Sequence, residues 1–89
     1  MMLSPASLVA AILAARGISK YRLAEACGVP RQTINGILRG EHRLTAAMAL
    51  LIAKALRISE LELLNLQRDA DMAKARRQMK RRLAKVKVL

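Results

Sequence analysis

The chain contains no tryptophan and no phenylalanine, and Tyr21 is its single aromatic residue. This excludes a surface that holds single-stranded nucleic acid by stacking bases on aromatic rings. A duplex reader that works by groove insertion needs no such surface. Cysteine occurs once, at Cys27, so no internal disulfide can form. Its apolar neighbours mark it as a small core residue rather than a reactive thiol. His42 is the one histidine. No cysteine, aspartate or second histidine surrounds it at ligand spacing, so no metal site is expected. No apolar run is long enough to span a bilayer. No basic segment followed by a long apolar run marks secretion, and a cytoplasmic protein with no membrane partner is the expectation. Nothing places a nucleophile beside a base or forms a phosphate loop, so neither catalytic residues nor a cofactor are expected.

Acidic side chains are also scarce: six Asp and Glu face seventeen Lys and Arg, a formal net charge of +11. That balance favours a polyanionic partner. The excess is uneven. Residues 1–73 carry nine basic and six acidic side chains, and residues 74–89 carry eight basic and none acidic. In a chain of 89 residues this reads as one small domain, 1–73, followed by a basic tail, 74–89.

The organising stretch is GISKYRLAEACGVPRQTINGILRG, Gly17 to Gly40. Ser19 is placed to cap a helix over Lys20–Cys27. Gly28 sits where the chain reverses and tolerates a left-handed backbone. A second helix begins near Arg31, after Pro30, and ends at Arg39 with Gly40 as its cap. Ala24, Cys27, Val29, Ile34, Ile37 and Leu38 turn both helices toward one core. This is a helix-turn-helix pattern, whose second helix enters a major groove. Arg31, Gln32, Thr33 and Asn35 then become the base-reading candidates, since Arg can pair with guanine O6 and N7, and Gln or Asn with adenine N6 and N7. Gly36, on the same outward side, is expected to let the helix approach closely. Lys20, Tyr21 and Arg22 at the start of the first helix, with Arg39 and Arg43, are the backbone-contact candidates.

Around this unit, Ser4 and Pro5 open a preceding helix with the stripe Leu8, Val9, Ile12 and Leu13. Met1 to Leu3 are expected to fray. Thr45 caps the helix AAMALLIAKAL, which Ala49, Leu50, Ile52, Ala53 and Leu56 make strongly apolar and which is expected to pass through or beside the core. Ser59 and Glu62 form a capping box for a fifth helix. Leu61, Leu63, Leu64 and Leu66 exceed what one face needs, which points to burial of part of them by a second copy or by a partner. The tail leaves three readings open: a longer fifth helix, a strand from the alternation Lys85-Val86-Lys87-Val88, or disorder. The fold expected is all-α, with five helices and a basic C-terminal extension.

Three stretches resemble one family: GISKYRLAEACGVPRQTINGILRG, LTAAMALLIAKAL and ELELLNLQRDADMAKA, the last through Leu64-Asn65-Leu66-Gln67 followed by Asp71. They are similar to the HigA or VapI antitoxins of the phage-repressor-like, Xre-type helix-turn-helix class. The resemblance spans roughly residues 5 to 76. It implies a five-helix repressor-like fold and pairing through the last helix around Leu63, Leu64 and Leu66. It also implies an operator-bound homodimer that represses its own operon and neutralises a RelE-like (HigB-like) mRNA endonuclease toxin. Leu63 stands where members often carry tryptophan, Ala70 where an aromatic often precedes the aspartate, Arg57 at a common glycine and Pro30 at a common serine. A stand-alone regulator of the same fold and a protein-interaction module without DNA binding remain as alternatives.

Overall fold

Side-chain caps set where four of the five helices begin. In the computed structural model, which describes residues 3–89, α1 spans Pro5–Arg16, α2 Lys20–Cys27, α3 Arg31–Leu38, α4 Ala46–Leu56 and α5 Glu60–Ala84. The fraying expected of Met1 and Met2 lies outside the described residues. Ser4, Ser19, Thr45 and Ser59 each accept a backbone N–H from the first turn of the helix that follows. Each such cap satisfies a donor that has no partner inside its helix. At Ser4 the box is reciprocal, with the Ser7 hydroxyl reaching back to the Ser4 backbone.

The ends are as well defined as the starts. Gly17 and Gly28 close α1 and α2 with φ of 64° and 69°, values an L side chain rarely adopts. Arg57 closes α4 in the same left-handed region, with φ 56°, and is the one non-glycine residue to do so among the described residues. A Cβ strains this conformation, so this turn is held at a cost that glycine would avoid. Two contacts secure it. Ile58 N–H donates to the Ala53 carbonyl at 3.0 Å. The Arg16 guanidinium, reaching from the end of α1, donates to the Leu56 carbonyl.

The core gathers Val9 and Leu13 from α1, Leu23 and Ala24 from α2, Ile34 and Ile37 from α3, and Ala49, Ile52, Ala53 and Leu56 from α4. Leu44 from the α3–α4 connection and Leu63 from α5 complete it. Helix α3 packs on α2 and α1, while α5 packs on α4 and α1. Cys27 is half-buried against this cluster, and burial pushes its thiol above the ordinary value. Both facts suit an inert packing residue.

Three points are decided here. Leu50 is 51% exposed, because the turn of α4 that buries Ala49 and Ile52 turns residue 50 outward. Leu63 is 0% exposed within its own chain, so it offers no surface to a second copy. Beyond residue 73 the fifth helix continues unbroken to Ala84, and the Val86–Val88 alternation forms no strand. The basic segment is thus largely the second half of α5.

Replacing Leu63 with Ala is expected to lower the free energy of unfolding by about 2–5 kcal/mol in a urea titration, at a protein concentration where association does not contribute. A change below about 1 kcal/mol would mean that the side chain packs outside the core.

Candidate nucleic-acid interface

Between α2 and α3 the chain reverses over Gly28, Val29 and Pro30. Val29 N–H returns to the Ala24 carbonyl at 3.1 Å and Gly28 N–H to Glu25 at 3.1 Å. Pro30 fixes its own φ at −60° and occupies the N-cap of α3 without a side-chain hydrogen bond. Ile34 and Ile37 fasten α3 inward, at 1% and 4% exposure. The opposite side then carries Arg31 and Gln32, both exposed, with Thr33 and Asn35 half-buried beside them. The geometry required of a reading helix is therefore present: an anchored apolar side and a free polar one.

The start of α2 lies against this face. Lys20 Nζ donates to Asn35 Oδ1 at 2.9 Å. The Arg31 guanidinium carbon stands 4.4 Å from the Tyr21 ring centroid, and Lys20 Nζ stands 5.5 Å from it. A cation over a ring face is attracted by the ring quadrupole. Lys20, Tyr21, Arg31 and Asn35 thus form one cluster, which sequence spacing did not signal. Arg22 is exposed nearby, on α2.

Past α3 the chain is held differently from the expectation. Gly40 takes φ 74° after Arg39, as a helix end requires. Glu41 and His42 N–H groups both donate to the Gly36 carbonyl, at 2.9 and 3.1 Å. This folds the loop back on α3, so that a Cβ on residue 36 would fall 2.4 Å from His42 Nδ1. Gly36 is therefore buried under the His42 ring, and the close approach it permits is that of the loop. Arg39 faces Glu41 across 3.7 Å with both side chains well exposed, a pair of little energetic weight.

Arg43 is the clearest departure. It does not stand free beside the reading helix but pairs with Asp71 of α5. Asp71 also accepts from Gln67 Nε2 at 2.8 Å, and Gln67 Oε1 accepts from Leu44 N–H at 2.8 Å. Gln67 is 8% exposed. A buried carboxamide with both ends bonded ties the α3–α4 loop to α5. The Arg43 hydrogen bond, with that from Gln67, holds the Asp71 carboxyl below its ordinary value. Among the described residues no cluster of His, Cys, Asp and Glu has the makings of a metal site, and no helix is long and apolar enough to cross a membrane.

The family model described as helix-turn-helix matches residues 9–63, more than half of the chain. The structure of an antitoxin named GraA superposes with a TM-score of 0.89 at 30% identity, covering 99% of this chain and 97% of its own. An addiction module antidote protein of a HigA family from Coxiella burnetii gives a TM-score of 0.85 at 25% identity, over 99% of this chain and 97% of its own. The Pseudomonas aeruginosa antitoxin HigA, solved with the higBA promoter, shares the fold at a TM-score of 0.91 and 24% identity, over 100% and 99% of the two chains. No curated protein sequence matches significantly.

Because Asp71 is depressed in the folded state, its contribution to stability is complete above the ordinary carboxylate value and is lost as pH falls through the lowered one. Thermal melts of the wild type and Asp71→Asn between pH 7 and pH 2 are expected to show a wild-type advantage that shrinks on acidification. A constant difference across that range would assign the effect of the substitution to something other than this charge.

Proposed function

Since the chain belongs to the helix-turn-helix family, in its Xre-type branch with the HigA-type antitoxins, we propose that it is the DNA-binding antitoxin of a toxin–antitoxin pair. The observation that carries the DNA reading is the exposed edge of α3, with Arg31 and Gln32 outward and Ile34 and Ile37 locked beneath. Arg31, Gln32, Thr33 and Asn35 read base edges. Tyr21, Arg22 and Arg39 meet the phosphates, where the charge excess provides affinity and the α3 edge provides selection. Arg43 reaches a phosphate only with the donors that its Asp71 pair leaves over. Such a protein works in the cytoplasm, where its operator is.

The working unit is a homodimer on operator DNA. A two-fold pair sets two α3 helices about 34–36 Å apart, one turn of duplex. With Leu63 committed to the core, the surface for pairing consists of the half-buried Leu64 and Leu66, supported by Leu50, Leu51 and Leu61, which are 51%, 40% and 67% exposed. Occupying the operator blocks transcription sterically. The toxin partner is a RelE-like mRNA endonuclease, whose catalytic surface the antitoxin covers or displaces. The names carried by the GraA and Coxiella structures support the antitoxin reading, and the promoter bound to the Pseudomonas protein supports the operator reading.

Co-expression with the adjacent gene is expected to yield a stable complex that retards the shared upstream DNA. Retardation without any co-purifying partner would leave a stand-alone regulator. Arg31→Ala and Gln32→Ala are each expected to weaken operator binding by about 1–3 kcal/mol and to relax discrimination at one base step. Equal losses on random duplex would refute base reading by that residue. Deleting residues 77–89 is expected to flatten the dependence of DNA affinity on salt, since each phosphate contact contributes roughly one unit of logarithmic slope. An unaltered slope would remove the tail from the DNA interface.

A further inference from the structure

The outward edge of α3 is not a set of independent side chains. Lys20 Nζ donates to Asn35 Oδ1 at 2.9 Å. An ammonium has protons and no lone pair, so only the carboxamide oxygen can face it. The orientation of the Asn35 amide is therefore decided by Lys20, and the amide's donor end, Nδ2, is the end left for a ligand. Arg31 lies four residues earlier, one turn away on the same face of α3. Its guanidinium rests 4.4 Å from the Tyr21 ring centroid, and the Lys20 ammonium lies 5.5 Å from the same ring. The result is a patch that combines two full positive charges with an amide whose oxygen is already engaged.

Such a patch discriminates between purines. An asparagine reads adenine by accepting from the N6 amino group while donating to N7. Here an adenine amino group would have to donate to an oxygen that already receives an ammonium. The second lone pair of Oδ1 remains, but the amino protons would meet a positive charge one hydrogen bond away. Guanine presents O6 and N7, both acceptors, and either suits Nδ2 and the remaining ammonium protons of Lys20. We infer that Lys20 sets the base preference of Asn35, making it a donor-side reader that selects guanine over adenine at the step it faces, beside the step read by Arg31. Lys20 is then a specificity-determining residue rather than a phosphate anchor. This inference rests on the DNA-binding reading above and deepens it.

Selection of binding sites from a randomised duplex pool with the full-length protein tests it. Asn35→Ala identifies the step in question by relaxing it. At that step the wild type is expected to favour guanine over adenine about tenfold or more. Lys20→Met, which frees the oxygen and removes the charge, is expected to shift that step toward adenine while the other positions keep their preferences. Lys20→Gln, which removes only the charge and keeps a polar side chain, is expected to shift it the same way. A wild-type preference for adenine at the Asn35 step overturns the inference. So does a Lys20→Met protein that loses affinity equally on every sequence with a shallower salt dependence, since that marks a phosphate contact. Failure of the wild type to retain any duplex would refute the DNA reading itself, and is told apart by the absence of enrichment at every position.

Discussion

The side-chain amide of Gln67 ties the loop that follows α3 to α5. It is buried, and both of its ends are used: the oxygen takes the Leu44 N–H and the nitrogen gives to Asp71. Leu44 lies at the end of the connection into α4, just before its Thr45 cap, and Asp71 holds Arg43 beside it. Two residues of α5 therefore fix the end of the loop that joins α3 to α4. Without Gln67 the Leu44 N–H would lose its side-chain acceptor, a penalty of about 1–3 kcal/mol for a donor left buried and unpaired. A helix of eight residues such as α3 has little stability of its own and depends on such fastening at both ends.

The fastening at the other end is of a different kind. Before α3 the chain is held by backbone geometry, through Gly28 and Pro30, and after α3 by side-chain hydrogen bonds to a distant helix. Between them, Ile34 and Ile37 supply the apolar grip. Arg31 and Asn35 are in turn positioned by α2, through Tyr21 and Lys20. The side chains that would meet a base thus rest on a neighbouring helix that is itself capped at Ser19 and anchored through Leu23 and Ala24, and less ordering is left to be done on binding.

The framework was legible in the sequence because local signals coincide at its boundaries. Ser19, Thr45 and Ser59 announce their helices, and Gly17, Gly28 and Gly40 lie where the backbone turns left-handed. What escaped were relations between distant residues. Leu63 and Leu50 look alike in a leucine-rich pattern, yet one is fully buried and the other half exposed, since only the packing of α4 against α5 decides. Gln67 and Asp71 stood out as a motif, but their role depends on a loop more than twenty residues earlier. Gly36 was assigned to the outward face by helical spacing, and a loop folded over it. The Lys20–Asn35 bond joins two helices across a turn, where neither periodicity nor composition reports side-chain direction.

The continuity of α5 changes what its basic half can be. Ala84 lies thirteen positions beyond Asp71 in the same helix, a span of about 20 Å at 1.5 Å per residue. A flexible tether samples many positions and gains from any nearby polyanion. A rigid arm presents its charges at one distance and bearing from α3, so whatever binds both must match that offset. Any polyanion that engaged both α3 and the end of α5 would have to match one fixed separation, a demand that a loose tail would not make.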